Sequence, residues 1–217
     1  MEPRTIVVKG TGNVKTKPDL IVITMTLTTT RYDYAKTMEL AAVELETLRK
    51  AIVSAGHEKQ ALKTTSFNVR TEYESYEDEK RVRKQRLVGY SCTHGLKLEF
   101  DLDMNVLGET LAAISTSGVG PRLGIEFSVK DKNAIQTALL EKAVSDATEK
   151  ATVLANAAGV SLKAITHINY NWGELLISSK TKFETIDRMS LMSNMEIEPE
   201  DVEVDDTVTV VWEIEQK

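Results

Sequence analysis

The apolar positions of the chain follow a helical period over one long stretch. From residue 131 to 162, apolar residues recur at spacings of three and four, which makes one face of a helix of about seven turns. Asp131 can accept hydrogen bonds from the first-turn amides, and Gly159 can take the left-handed conformation that ends a helix. The spacing therefore predicts a helix over about residues 131–158. Its inner ridge is small enough to lie close against a sheet, because it consists of Ala143, Ala147, Ala151 and Ala155.

Most of the other apolar residues alternate with polar ones, which predicts strands. In residues 20–31, isoleucine, methionine and leucine occupy odd positions, while threonine fills the even ones from 24 onward. Residues 88–102 keep their apolar side chains on even positions, so this strand is expected to cross the middle of a sheet. Asp33 and Asp103 are placed to cap two further helices. The pattern predicts an α+β fold, a mostly antiparallel sheet of about seven to eight strands with three helices.

Length and composition are typical of one globular domain. The chain has 217 residues, of which 41% are hydrophobic and 28% charged, and no Pro/Gly/Ser-rich linker divides it. We therefore predict a single domain over residues 1–217. Between its last two predicted strands lies a loop excursion at about residues 175–205, which is too long for an ordinary hairpin loop.

Charge and hydropathy exclude several partners and compartments. The net charge of −6 disfavours nucleic acid, since that affinity comes from Lys and Arg neutralising phosphates. No run approaches the ~18 apolar residues of a membrane span. The first residues enter a strand pattern without a signal-peptide segment, and the single cysteine fits a reducing compartment. The sequence as written predicts a cytoplasmic protein, or an exported one if a leader has been removed.

Candidate catalytic side chains are few. Cys92 and His94 lie two apart on one face of the predicted central strand, so a nucleophile and base pair is one interpretation. Large apolar residues share that face, and a buried cysteine behaves as a small hydrophobe, so core packing is favoured. The histidines at 57, 94 and 167 lie on separate elements and give no zinc spacing. We predict no catalytic, cofactor-binding or metal-binding residues.

Two glycine motifs resemble known fingerprints without completing them. Gly10 and Gly12 could begin a dinucleotide-binding loop, but the third glycine would fall at Lys15 and a strand follows. A glycine pair at a strand end or bulge is the preferred interpretation. Residues 89–93 imitate a nucleophile elbow but end in threonine and lie within a strand.

Two charged segments are interpreted as solvated surface. The basic run at 80–86 follows acidic residues at 72–79, which predicts a hairpin tip protected against edge pairing, with a binding patch as the alternative. The acidic stretch from 196 to 206 lacks the loop glycine and ligand alternation of a calcium site.

The excursion carries one unusual apolar stripe. Large apolar residues recur there every three positions, at Phe183, Ile186, Met189, Met192 and Met195. Exposed apolar surface costs about 25 cal/mol per Å², and methionine adapts to irregular partners. The stripe covers either the protein's own sheet or a neighbouring copy. We predict that it is a subunit interface of a homo-oligomer.

Five segments lie in register between residues 5 and 172. They are VKGTGNVKTKPD (8–19), LKTTSFNV (62–69), VGYSCTHGLKLEF (88–100), GIEFSVKD (124–131) and AVSDATEKATVLANAAGVSL (143–162). Together they resemble the SIMPL-domain family, whose bacterial members include exported immunogenic proteins and proteins described as oxidative-stress defence proteins. The resemblance implies an α+β fold, a tendency to self-associate and no established reaction or catalytic residues. The chain departs from many relatives by lacking an export signal and by having Glu200 after Pro199, where relatives often have glycine.

The leading functional hypothesis is therefore a non-enzymatic, self-associating module of a stress-related or scaffold kind. The alternatives are an enzyme that uses Cys92 and His94, and a small-molecule binding module with a closed apolar pocket and a few polar groups.

Overall fold

A computed structural model describes residues 4–77, 81–171, 173, 175–185 and 198–216. Its helices are α1 (Tyr34–Ser54), α2 (Met104–Thr116) and α3 (Lys132–Ala157). Its strands are β1 (Thr5–Thr16), β2 (Leu20–Arg31), β3 (Lys63–Glu77), β4 (Arg83–Asp101), β5 (Arg122–Ser128), β6 (Val160–Tyr170), β7 (Ser178–Thr185) and β8 (Val202–Gln216). The α+β class, the three helices and the strand number are confirmed for the described residues.

The strands form two sheets. Their orders are β1-β8-β6 and β3-β4-β2-β5-β7. The pairs β1–β8, β6–β8, β2–β4 and β3–β4 are antiparallel. The predicted antiparallel character is confirmed, but the strands are divided between two sheets. Side-chain alternation indicates which face of a strand is buried and does not specify which strands pair.

The chain divides into two compact units. The first comprises Met1–Asp19, Ser128–Lys180 and Glu200–Lys217, and the second comprises Leu20–Phe127 and Thr181–Pro199. The prediction of one domain over 1–217 concerns cooperative folding, and it stays a prediction. In the predicted excursion, residues 178–185 form the unforeseen strand β7.

In the first unit, α3 lies on the three-stranded sheet. Asp131 caps the helix by accepting from the amide of Ala134 at 2.9 Å. The alanine ridge is buried, as predicted, and packs with Val8, Val208, Val210 and Trp212. Leu154 follows the same three-and-four spacing but is 50% exposed, because the buried stripe is only about one side chain wide.

Gly10 and Gly12 are the points at which α3 approaches β1 most closely. A Cβ on Gly10 would lie 2.0 Å from the Ala143 carbonyl oxygen, and a Cβ on Gly12 would lie 2.0 Å from the Leu139 carbonyl oxygen. Both glycines lie inside β1, whose pairing with β8 runs without a register shift. The interpretation as a strand-end or bulge pair is therefore wrong. The glycines instead make room for the backbone of α3. The element after β1 is the strand β2 and not a helix, which agrees with the conclusion that these glycines are not a dinucleotide-binding fingerprint.

A surface carboxylate also joins α3 to β1. Asp146 accepts from the Lys150 ammonium at 2.6 Å and from the backbone amide of Thr11 at 2.7 Å. The hydrogen bond from Lys150, followed by that from Thr11, lowers the pKa of Asp146.

In the second unit, α1 and α2 cover the five-stranded sheet. Asp33 and Asp103 cap these helices, as predicted. The alternation in β2 is confirmed, since its odd-numbered apolar side chains are buried and Thr24, Thr26 and Thr28 are exposed. The fully buried core consists mainly of Ile21, Ile23, Met25, Leu48, Leu96, Leu98, Leu107, Ile114, Ile125 and Phe127.

The β3–β4 hairpin continues beyond the rest of its sheet. Strand β2 pairs with β4 only from Tyr90 onward, so among the described strands residues 72–77 and 83–89 pair only with each other. We call these two segments the β-ribbon. At its base the register shifts between Glu72 and Tyr73, and Gly89 adopts a φ of +147°. A Cβ there would lie 2.4 Å from the Arg31 carbonyl oxygen. Glycine is therefore required where the ribbon leaves the sheet.

Candidate functional site

Strand β4 places Cys92 and His94 in the second unit's interior. Because β4 lies between β3 and β2, both of its edges are paired, and α1 packs against it. Cys92 is 1% exposed and His94 is 8% exposed. The predicted burial of this face is confirmed for both residues.

The environment of Cys92 keeps its thiol protonated. Burial raises the pKa of Cys92, and the negative charge of Glu44 raises it further. The Glu44 carboxylate accepts a hydrogen bond from the Thr29 hydroxyl, and Thr29 lies opposite Cys92 in the β2–β4 register. A reactive cysteine needs the reverse, a positive neighbour that stabilises the thiolate.

His94 is held as a neutral imidazole. Its Nε2 lies 3.1 Å from the Thr64 hydroxyl, and the ring of Phe67 packs edge-on at 5.1 Å. Burial lowers the pKa of His94, and the positive charge of Arg49 lowers it further. The raised pKa of Cys92 and the lowered pKa of His94 both favour the neutral forms, whereas a catalytic cysteine is activated by a base that favours its thiolate.

The sequence interpretation missed two charged residues of this cluster. Glu44 lies three residues after Ala41 and four before Leu48, both buried, so it occupies the inner stripe of α1. Arg49 follows Leu48, and its Nε is buried without a hydrogen-bond partner among the described atoms. The sequence feature that indicates this role is a charged residue at a helical position where an apolar residue is expected, and it belongs to no known motif.

The remaining histidines have structural or solvent contacts. His57 Nε2 lies 2.7 Å from the Thr110 hydroxyl, and its ring lies 4.8 Å from that of Phe100. Burial lowers the pKa of His57. His167 is exposed on β6. Over the described part of the chain, no group of three or more His, Cys, Asp or Glu residues is arranged to hold a metal ion.

The charged segments pair within the molecule. In the β-ribbon, Arg86 donates to Glu74 through both Nε and Nη2, at 3.0 and 2.7 Å, and its guanidinium carbon lies 5.7 Å from the Tyr76 ring centroid. In the late acidic stretch, Asp206 accepts from the Tyr170 hydroxyl at 2.6 Å and Asp205 accepts from the Asn13 amide at 2.7 Å.

Of the predicted interface stripe, only Phe183 lies within the described residues. Its ring packs edge-on against Phe127 at 6.4 Å and joins the second unit's core. Ile186, Met189, Met192 and Met195 lie outside the described residues, so the stripe stays a prediction.

Cys92 is expected to react slowly with a small thiol reagent in the native protein, because it is buried and its thiol stays protonated. Thiol labelling at neutral pH, followed by mass spectrometry, measures this rate. Thr26→Cys supplies the control, since residue 26 lies on the exposed face of the same sheet. That variant should gain one rapidly labelled thiol while Cys92 stays slow. Rapid labelling of Cys92 in the parent would instead favour the enzyme hypothesis.

One family profile and two proteins of known description are similar to this sequence. The profile of SIMPL, described as a protein of unknown function (DUF541), matches residues 6–212. The 26 kDa periplasmic immunogenic protein of Brucella melitensis biotype 1 is 25% identical over 168 residues, which cover 77% of this chain and 67% of that protein. The protein of the same description from Brucella abortus (strain S19) is 24% identical over the same shares.

The descriptions of these two relatives name a cellular compartment and no chemical reaction. Both are described as periplasmic, so they give no support to the cytoplasmic prediction and fit the exported alternative. None of the helices in the described ranges has both the length and the apolar content that crossing a bilayer demands.

Proposed function

The chain belongs to the SIMPL family of proteins of unknown function, and from that premise we propose that it is a non-enzymatic module that associates with copies of itself. The observation that carries this proposal is the β-ribbon. The stress-related or scaffold role implied by the family resemblance is part of the proposal.

The β-ribbon exposes more apolar surface than a solvated hairpin requires. Tyr73 is 57% exposed, Tyr76 is 40% exposed and Val88 is 39% exposed. A two-stranded hairpin alone is marginally stable in water. Because β3 is the terminal strand of its sheet, one row of its backbone groups has no strand partner among the described strands. A contact that covers these side chains and this edge would stabilise the ribbon.

The charges of the β-ribbon favour a second copy as that contact. One strand carries Glu72, Glu74 and Glu77, and the other carries Arg83, Lys84 and Arg86. Glu74 already pairs with Arg86 inside the ribbon, but each strand still presents a row of one sign of charge. Two copies can therefore meet in a two-fold arrangement that brings opposite charges together. The same rows discourage pairing with an unrelated edge.

The protonation states of the buried pair support a non-enzymatic role. Burial and Glu44 hold the pKa of Cys92 above its usual value, and burial and Arg49 hold the pKa of His94 below its own. The raised pKa disfavours the thiolate that a nucleophilic cysteine needs, and the lowered pKa makes His94 a weaker base than a free imidazole.

Sedimentation tests this proposal with two surface variants. One is Tyr73→Ser with Tyr76→Ser in the β-ribbon, and the other is Met189→Ser, Met192→Ser and Met195→Ser in the predicted stripe. The matched control is Val153→Ser on α3, because Val153 is a 68% exposed apolar residue outside both surfaces. Circular dichroism confirms that each variant keeps the fold.

We expect an associated parent, an associated control, and dissociation in the variant whose surface forms the interface. Dissociation of the methionine variant alone would assign the interface to the stripe, and dissociation of the tyrosine variant alone would assign it to the ribbon. A parent that sediments as a monomer at high micromolar concentration overturns self-association.

We further propose that the protein acts outside the cytoplasm, which the description of both Brucella relatives as periplasmic supports. Fractionation of cells that express the complete gene with a C-terminal epitope tests this. Recovery of the epitope with cytoplasmic markers would contradict it.

A further inference from the structure

We propose that α1 carries a binding site for a small oxyanion, a carboxylate or a phosphate ester, centred on Arg49. This site uses none of the residues invoked for self-association, so either proposal can fail without the other.

A cavity of about 340 Å³ lies along the second half of α1 and is lined by Glu46, Arg49, Lys50, Val53, Ser54 and Lys59. Its volume is near the lower limit for small-molecule sites. Five of these residues share one side of the helix at spacings of three and four, and Lys59 approaches from the segment after α1.

The charges of this cavity do not balance. The Lys59 Nζ lies 3.8 Å from the Glu46 Oε1. This ion pair neutralises one of the three cations of the lining and uses its single carboxylate. Arg49 and Lys50 form no ion pair with any residue in the described ranges. The cavity therefore retains two positive charges that an anion can neutralise.

Arg49 is the residue that distinguishes this cavity from an ordinary basic surface. Its Nε is buried and has no acceptor among the described atoms, although a buried donor left without a partner is destabilising. It is also close enough to His94 for its charge to lower that residue's pKa, after the larger effect of burial. Because its Nε is enclosed by protein while the residue lines the cavity, the positions open to the guanidinium are restricted before any ligand arrives.

The chemistry of the lining selects the class of ligand. The guanidinium fork matches the spacing of two oxygens on a carboxylate or a phosphate, and Lys50 adds a second positive charge. Val53 and the aliphatic stems of the basic side chains give an apolar wall suited to a short carbon chain. Ser54 adds a hydroxyl at the rim, although that hydroxyl already donates to the Ala51 carbonyl oxygen at 2.8 Å.

The experiment is a titration of the isotope-labelled full chain, followed by amide NMR shifts of residues 46–59. The probes are sodium phosphate, sodium acetate and sodium butyrate, each at an ionic strength held constant with sodium chloride. Arg49→Gln removes the central charge. Lys36→Gln removes an exposed charge from the first turn of the same helix and serves as the matched control.

We expect saturable shifts in the parent and in Lys36→Gln, and binding weaker by about tenfold or more in Arg49→Gln, because a hydrogen bond to a charged group is lost. Butyrate binding more tightly than acetate would identify a carboxylate with an apolar chain, and phosphate binding most tightly would identify a phosphate ester.

Three results would overturn the site. They are no saturable shift up to about 10 mM of any probe, equal shifts with chloride alone, and unchanged affinity in Arg49→Gln. If Arg49→Gln does not fold, Lys50→Gln at an exposed position replaces it, and unchanged affinity in that variant has the same consequence.

Discussion

Gly10→Val is expected to remove a large part of the stability of the first unit. The Cβ alone would lie 2.0 Å from the Ala143 carbonyl oxygen and 2.7 Å from the Ala147 Cβ, and valine adds two further carbons. Overpacking costs about 1–3 kcal/mol, occasionally more, and we expect the upper end because the obstacle is helix backbone that cannot rotate away. Urea unfolding followed by circular dichroism measures the loss.

Two variants make this result specific. Gly108→Ala is the control, because a Cβ there meets nothing within 4 Å and lies inside α2, so it should stabilise by about 0.5–1 kcal/mol. Ala147→Leu enlarges the helix side of the same contact and should cost about 1–3 kcal/mol. Gly10→Val and Ala147→Leu enlarge the two sides of one contact. The loss of unfolding free energy in the double variant should therefore be smaller than the sum of the two single losses. Parental stability in Gly10→Val would show that α3 does not lie this close to β1.

Phe127→Ala should destabilise the second unit by about 3–5 kcal/mol. Phe127 is 0% exposed and packs against Phe183, so truncation leaves a cavity in the centre of that core. Phe67→Ala is the control, because Phe67 is 52% exposed on the edge strand β3, and it should cost well under half as much. Equal costs for the two variants would contradict the assigned core.

The same unfolding curves test the prediction of one domain. Gly10 and Phe127 belong to different compact units. A single cooperative domain requires each substitution to shift one common transition, seen alike by circular dichroism and by the fluorescence of the buried Trp212. A separate early transition in either variant would show that the units unfold independently.

Most of the secondary structure was predictable because its signals are local. The alternation of β2 and the caps and spacing of α3 depend on residues within a few positions of one another, and each was confirmed. The division into two sheets was not predictable, since pairing β1 with β8 depends on residues about two hundred positions apart. The role of Gly10 was not predictable for the same reason, because Gly10 makes room for a helix that lies more than a hundred residues away in the sequence.

For the candidate site at Cys92 and His94, the sequence predicted only that both side chains are buried. The shared parity of Cys92 and His94 with apolar neighbours correctly placed both in the core. Their electrostatic environment was not predicted, because Glu44 and Arg49 belong to a different element, and helical spacing gives the face of a residue without its partners. Only the packing of α1 on β4 brings these charges to the pair.

The pairing of β1 with β8 also constrains the order in which the molecule can be made. Among the described strands, residues 5–16 pair with residues 202–216 alone, so this strand cannot join its sheet until nearly all of the residues between 5 and 216 have been made. Residues 20–127 contain two helices and four strands of the second unit, and they can collapse while synthesis continues. Closing so long a loop is slow, and until it closes, α3 has no complete sheet on which to lie. The first unit is therefore expected to complete its fold last, and until then the ridge of alanines on α3 stays uncovered.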